Sequence, residues 1–384
     1  MRILHLGDLH LGRSLGEYDL IEDQRYILDQ IINEARDRSV DALIIAGDVY
    51  DRAVPSEAAT MLLDSFLTGL SDAGITVYMI SGNHDSDDRL GFGSKLFTSR
   101  NIFISSVFDG TLQNHTLSLD GIDVVFHMLP FIKASQVRHF YPDASIETYE
   151  DAVRTVIDNA HIDASKINVL IAHQFVAGGE DPHLAGSEGA GTQTVGLVEK
   201  IGVHSFDAFD YVALGHIHSP QQVGRETVRY AGSPLKYSLS ESSNVKTMPL
   251  ITIGSKEDIA VELIPLKPMR DLRHIKGKLA ELLSPSAVES ANDFIYATLT
   301  DEDLITDVMA AFRQTYPNTV RIDYDNSHTR ELERCDISSI TTKRSFNELI
   351  EDFYKEVYGC DITDEEMDLM RTLAYETGII NEAG

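Results

Sequence analysis

An α/β fold is what this sequence predicts, and three observations predict it. Short apolar runs alternate with amphipathic stretches along the first part of the chain. Several runs, such as Ala42-Leu43-Ile44-Ile45-Ala46, are apolar at every position, which suits strands covered on both faces. Clusters rich in Asp and His then follow the runs directly. In parallel sheets, such groups gather at the carboxyl ends of the strands.

Each element has its own signal. Residues 2–6 read as a strand, 22–38 as an amphipathic helix and 42–46 as a second strand. Residues 57–72 read as a second helix and 75–80 as a third strand, a βαβαβ rhythm that implies crossover helices. Further strands are expected at 102–107, 116–119, 124–129, 168–172 and 211–214, with a helix at 147–161. Residues 178–191, rich in glycine and acid, suit a mobile loop beside a site. Residues 225–230 and 250–266 form a late β-rich section suited to a second sheet.

The texture changes around Pro265-Leu266-Lys267-Pro268. Residues 270–283 look polar and partly helical. A strand at 293–299, a helix at 303–316 and a strand at 319–324 then suggest a small α+β domain. From Ser345 the chain reads as helical and acidic, and Thr363-Asp364-Glu365-Glu366 resembles a capping box. The expected domains are 1–265, 266–342 and 343–384.

Composition narrows the class. The 384 residues are 43% hydrophobic and 24% charged, with no tryptophan. No run approaches a membrane span, and the N-terminus turns polar too soon for a signal peptide. The two cysteines, Cys335 and Cys360, make neither a disulfide framework nor a zinc site, and the expected compartment is the cytoplasm. The net charge of −29 repels nucleic acid at long range. A nucleic-acid substrate would need bound cations, a basic patch or a partner carrying positive charge.

Five polar clusters carry the chemistry: Asp8-Leu9-His10, Gly47-Asp48-Val49-Tyr50-Asp51, Gly82-Asn83-His84-Asp85, Ala172-His173 and Gly215-His216-Ile217-His218. Each alone has a bland reading, as a turn dipeptide or a surface histidine. Their order after successive strands favours a metal site. Asp8, His10, Asp48, Asn83, His173, His216 and His218 offer oxygen and nitrogen donors and no thiolate, which favours Mn²⁺, Fe²⁺ or Zn²⁺ over Ca²⁺. Seven donors are too many for one ion and suit two, if one carboxylate bridges. His84 follows Asn83 and suits a general acid or a positive charge that stabilises the transition state. Asp85 is placed to hold its tautomer. Gly47 and Gly82 suit tight turns.

As a set, these motifs resemble the calcineurin-like metallophosphoesterase superfamily across roughly the first 265 residues. The resemblance implies two β-sheets packed face to face and flanked by helices. Finer features, Tyr50-Asp51-Arg52 with Pro55-Ser56, Ser219-Pro220-Gln221, and Gly232-Ser233-Pro234-Leu235 leading to Ser240-Glu241, are similar to its DNA-nuclease branch.

That branch implies a manganese-dependent exonuclease and endonuclease working with an SMC-like ATPase. It also implies a homodimer within a heterotetramer, associated with the nucleoid when on DNA. Carried over, Asp8, His10, Asp48 and His218 hold one ion. Asp48, Asn83, His173 and His216 hold the other, and His84 is the catalytic histidine. Some archaeal relatives have histidine where this chain has Asp51, so a phosphate-placing role is not carried over, and support of the metal shell is the other reading.

Arg13, Arg52, Arg89 and Lys95 are candidate DNA contacts in loops after the motifs. Phe346, Leu349, Phe353, Met367 and Met370 form an apolar stripe that suits either core packing or ATPase docking. Leu62, Leu63 and Phe66, with the loop near Phe92, are places to seek a dimer interface. The competing functions are a small-molecule or phosphoprotein phosphoesterase with the same ligands, and a metal-free scaffold. A scaffold would show eroded ligands.

Overall fold

The computed structural model describes residues 1–186 and 200–327, together with 329, 347, 350–351, 353–355, 361–363 and 366–371. β1 (Arg2–Leu6) leads through a small hairpin, β2 (Ser14–Leu15) and β3 (Tyr18–Asp19), to α1 (Ile21–Asp37). β4 (Ala42–Ala46), α2 (Glu57–Asp72) and β5 (Thr76–Ile80) follow, then short α3 (Asp87–Leu90) and α4 (Ser94–Phe97), and β6 (Ile102–Ser105). β7 (Gln113–Leu119) and β8 (Ile122–Leu129) pair as a hairpin before α5 (Ala134–Phe140) and α6 (Tyr149–Asp158). β9 (Ile167–His173), short β10 (Val176–Ala177) and β11 (Ile201–Gly202), and β12 (Tyr211–Gly215) come next. β13 (Gln221–Val223), β14 (Arg225–Tyr230), β15 (Thr247–Ile253) and β16 (Ile259–Pro265) complete the sandwich.

Two six-stranded sheets result, ordered β16-β15-β1-β4-β5-β6 and β13-β14-β12-β9-β8-β7. β1, β4, β5 and β6 run parallel, as do β8, β9, β12 and β14. The strand period of two explains the layering. In β4, Leu43 and Ile45 face the helices with Ile31 of α1 and Phe66 of α2. Ala42, Ile44 and Ala46 face the other sheet, against Phe126, Val169, Ile171 and Ala213. In β9, Leu170 and Ala172 turn instead to the layer holding Val153 and Val156 of α6. Every apolar position of these strands is therefore buried, which is why the runs do not alternate.

The structure corrects several expectations. The late β-rich section does not form the second sheet by itself. β15 pairs antiparallel with β1 and carries β16 on its outer edge, so the chain returns to close the first sheet. The stretch expected to be partly helical contains a strand, β17 (Leu272–Gly277), before the single turn α7 (Leu279–Leu282). Leu62, Leu63 and Phe66 lie on the buried face of α2, within the core. Phe92 is 85% exposed and Met61 57%.

β17, β18 (Phe294–Leu299) and β19 (Thr319–Tyr324), with α8 (Val308–Thr315), make a three-stranded sheet with one helix. Two compact units are present: Met1–Thr298 with Ile305–Asp323, and Leu299–Leu304 with Tyr324–Gly384. Within the first, Phe294 joins the helix-side core, Arg270 pairs with Asp23 of α1, and the Tyr18 hydroxyl donates to Pro317 O at 3.0 Å.

In the second unit, Asn326 Nδ2 donates to Asp301 O at 3.3 Å. The Thr363 N–H donates to Glu366 Oε2 at 2.9 Å, the capping interaction read from the sequence. Of the apolar stripe, Met367 is buried, Met370 half-buried and Phe353 exposed, while Phe346 and Leu349 lie outside the described residues. Among the described residues no helix is long and apolar enough to cross a membrane.

Candidate metal centre

The five clusters leave the ends of β1, β4, β5, β9 and β12 and converge. Two glycines show how closely. A Cβ on Gly82 would overlap the Asp48 carboxylate and its amide, and one on Gly215 would overlap Ala46 O. Four non-glycine residues of the clusters adopt positive φ: Asp8 at 53°, His10 at 43°, Asp48 at 48° and His216 at 98°. Such backbone costs of order 1 kcal/mol or more per residue and persists where surrounding contacts impose it. Here the contacts are evident. Gln24 Nε2 donates to His10 O at 2.7 Å, and the Tyr237 hydroxyl donates to Leu9 O at 2.6 Å.

Asp48 lies at the centre. Its Oδ2 stands 3.5 Å from His10 Nε2, 3.4 Å from His173 Nε2 and 4.0 Å from His84 Nε2. Its Oδ1 accepts the His84 N–H at 2.9 Å. On one side, His10 Nε2 and His218 Nε2 are 3.1 Å apart, and with Asp8 they form one cluster of donor atoms. On the other, Asn83 Oδ1 lies 3.0 Å from both His173 Nε2 and His216 Nδ1. Asp8, Asp48 and His173 form a second cluster. All seven expected donors are thus brought together, with Asp48 between the two groups.

The electrostatics fit a cation site. Burial pushes Asp8 up to about 6, and neighbouring Asp48 adds to the rise. Burial would raise Asp48 too, but His173, His10 and His84 hold it well below the usual carboxylate range. Burial opposes a charge on His173, yet Asp48 and Asp8 push it up to about 9. Burial lowers His10 well below its ordinary value and, with His173, lowers His216 to about 3. Neutral imidazoles facing anionic carboxylates are the protonation states that ligate a metal. In the protein alone, a proton on His173 balances Asp48, and a divalent cation among the same atoms would serve the same end. Asp8 Oδ2 is buried without a hydrogen bond, as a ligand oxygen would be.

His84 lies at the rim, its side chain 24% exposed. Its Nδ1 is 3.2 Å from Asp51 O, so Nδ1–H donates there and Nε2 faces the centre. The expected partner, Asp85, is engaged elsewhere. Its carboxylate accepts backbone N–H groups from Val49 at 3.1 Å, Tyr50 at 2.9 Å and Gly82 at 2.9 Å. Asp85 thereby ties the loop after β4 to the loop after β5, and the tautomer of His84 is held by a backbone carbonyl instead.

The basic candidates separate. Arg13 donates to Asp51 Oδ1 at 2.8 Å and sits over the Tyr237 ring. Arg52 is 80% exposed and 3.5 Å from Asp51 Oδ2. Arg89 lines an apolar groove of about 350 Å³ with Leu63 and Phe92. Lys95 borders a different, more polar cleft with Asp87 and Asp109. Arg13 and Arg52 both pair with Asp51, in one of the metal centre's loops.

Sequence reasoning missed Gln24, Tyr237, Glu241 and Lys246 as supports of the site. Glu241 is fully buried and 3.8 Å from His218 Nδ1. Burial would raise its carboxyl, but His218 and Lys246 hold it well below the usual range. The Ser240-Glu241 motif was legible only as a mark of resemblance, because nothing in the sequence reveals which way a loop carboxylate points.

A two-sheet α/β sandwich carrying this mixed donor set at its strand ends defines a metal-dependent phosphoesterase. The chain belongs to the calcineurin-like phosphoesterase family, whose model matches residues 1–220. Residues 268–358 match a second family, described as the type 5 capsule protein repressor C-terminal domain. Over 380 residues the chain is 33% identical to the SbcD subunit of the nuclease SbcCD of Staphylococcus epidermidis, covering 97% of this chain and 98% of that one. A dimetal phosphatase from Danio rerio aligns with a TM-score of 0.35 at 10% identity, over 70% of this chain and 99% of that one, a superposition too loose to compare sites.

Proposed function

We propose that this chain is the metal-dependent nuclease subunit of a two-component DNA-processing complex, cleaving phosphodiester bonds in DNA with an SMC-like ATPase of the SbcC type as partner. The observation that carries this reading is the match along nearly the whole chain to a nuclease subunit, beyond the phosphoesterase region alone. The donor set supports it: Asp8, His10, Asp48 and His218 would hold one ion, and Asp48, Asn83, His173 and His216 the other. Manganese suits these oxygen and imidazole donors. When bound, the ions supply Lewis acidity toward the phosphate diester.

The protein's own groups do the rest. Asp48 orients His84 through the hydrogen bond from its backbone N–H. His84 keeps Nδ1–H on Asp51 O, which leaves Nε2 to carry a proton to the departing oxygen. Arg52, exposed beside Asp51, suits a phosphate of the DNA backbone. The net charge of −29 leaves much of the DNA affinity to the ATPase. We assign residues 266–342 to a capping domain and 343–384 to ATPase docking. Manganese, end-labelled duplex or hairpin DNA and the purified chain, with and without the ATPase, test the reading. Manganese-dependent cleavage is expected, and hydrolysis of small phosphodiesters alone would leave only the family's general activity.

A further inference from the structure

Each large sheet has two edge strands, and three of the four are guarded. β13 is three residues long and shifts register against β14 between Gln222 and Val223. β6 is four residues long. β16 is longer, but it ends at Pro265, and its Glu262 pairs with Arg38 at 2.9 Å. Shortness, irregular register, proline and charge are the usual means of keeping a foreign strand off a sheet. β7 has none of them. It runs seven residues, Gln113–Leu119, in unbroken register with β8, and among the described residues no strand pairs with its other side. Thr111–Leu119 contains no Asp, Glu, Lys, Arg or Pro, although 24% of the chain is charged.

The strand is held as a fixed template. The His115 ring stacks on Phe103 of β6 with centroids 3.8 Å apart, and His115 Nδ1 lies 2.8 Å from the Tyr78 hydroxyl of β5. Leu117 packs against the core between the sheets, while Asn114, Thr116 and Ser118 are exposed. Beside the first residues of β7, where it meets β6 at the open side of the sandwich, lies a cleft of about 530 Å³. Asp87, Asp88 and Asp109 border it together with one ammonium, Lys95. Ser105 also lines it, is 2% exposed, and has no hydrogen-bond partner for its hydroxyl among the described residues. A buried hydroxyl is ordinarily paired, so this one points to a polar group from outside the chain.

We propose that β7 is a docking edge for an extended segment of a partner protein that carries lysine or arginine. The segment adds a strand to the second sheet and sets a cationic side chain in the acidic cleft. Backbone hydrogen bonds supply the affinity and the cleft supplies the selection. Charge decides against a second copy of this chain. Asp109 and Asp120 flank the two ends of the edge, and Asp123 stands opposite Ser118. Two β7 strands paired in either direction bring acidic ends together, on chains that each carry −29. A basic segment meets the same acids as partners. The edge and the cleft contain none of the seven metal donors and not His84, so this inference stands apart from the nuclease reading.

The test uses the full chain and a fluorescein-labelled peptide of about eight residues, valine alternating with threonine between terminal lysines, followed by anisotropy at physiological ionic strength. Saturable binding is expected. Two further peptides separate its causes. One has alternate amides N-methylated, which keeps every charge but prevents strand pairing, and is expected to bind at least about 10-fold more weakly because several N–H donors are lost. The other has glutamine for lysine and is expected to bind about 3–10-fold more weakly. Thr116→Lys, an exposed change that puts a like charge on the edge, is expected to weaken the lysine peptide at least about 10-fold. Asp87→Asn/Asp88→Asn is expected to weaken the lysine peptide about 3–10-fold and leave the glutamine peptide unchanged. If that double variant does not fold, as urea unfolding reports, Thr116→Lys decides alone. Absence of saturable binding, equal binding of the methylated and parent peptides, or unchanged binding by Thr116→Lys each overturns the proposal. A wild-type dimer that Thr116→Lys converts to a monomer gives the edge to a second copy and overturns it as well.

Discussion

His10 Nε2 and His218 Nε2 face each other at 3.1 Å although 208 residues separate them. Two buried imidazole nitrogens at that distance are satisfied by one N–H donated between the rings or by one cation bound to both. Burial drives His10 toward its neutral form, which serves either arrangement. The strand ends of β1 and β12 therefore converge on a point where a cation would fit. Asp48, reached from a third strand, joins this point to a second group around Asn83.

Asp48 should be the residue the centre can least do without. Asp48→Asn removes the charge shared among His10, His173 and His84. The expected outcome is loss of both manganese ions and a fall of at least about 100-fold in hydrolysis of bis(p-nitrophenyl) phosphate. Elemental analysis after gel filtration and a colorimetric assay measure the two. Retention of two ions would remove the bridging role.

His84 should separate chemistry from metal binding. Its ring contacts Asp51 O through Nδ1 and stays 4.0 Å from Asp48 through Nε2. His84→Gln is expected to lower turnover by about 10²–10⁴-fold while both ions remain. Metal loss in this variant would make His84 a ligand instead.

The sheet strands and the seven donors were legible because parallel strands write themselves as apolar runs and because ligand groups follow them. β4, α2 and β14 fall at the bounds expected, since each is a closed unit of local pattern. What the sequence hid is what depends on distant partners. β15 and β16 return to β1, an edge that no local signal marks. Asp85 turns from His84 to three backbone amides, because unpaired N–H groups at two loop turns are the stronger claim on a buried carboxylate. Lys246 ends beneath His218 only through the path of the intervening loop.

Gly82 should tolerate no side chain, for steric reasons alone. Gly82→Ala drives a methyl into the Asp48 carboxylate and amide, and is expected to cost about 2–3 kcal/mol in urea unfolding and to weaken metal binding. Gly121 offers a control: its φ is +81° and nothing lies within 4 Å of an added Cβ. Gly121→Ala is expected to cost about 1 kcal/mol from backbone strain and leave the ions in place. Equal metal affinity in the two variants would mean that the approach of Gly82 to Asp48 does not set the site.

His5 should make the fold acid-sensitive, independently of the ions. It shares the inter-sheet face of β1 with Ile3, has no exposed surface, and its Nδ1 lies 3.1 Å from the Tyr211 hydroxyl. Burial, helped by Arg229 and opposed by the nearby Leu214 backbone, lowers it to about 3. A histidine lowered in the folded state favours unfolding when it takes up a proton. Its stability contribution is complete above its ordinary value near 6.5 and is lost as pH falls from there toward about 3. Between pH 7 and pH 5 that loss is about 2 kcal/mol from this one group. Urea unfolding of the wild type and of His5→Gln, both in chelator so that acid release of metal does not enter, isolates it. The variant should lose about 2 kcal/mol less over that interval, even if it starts less stable, because a neutral amide has no proton to gain. Parallel pH profiles for the two chains would mean that His5 is charged in the fold or reaches water, contrary to its place between the sheets.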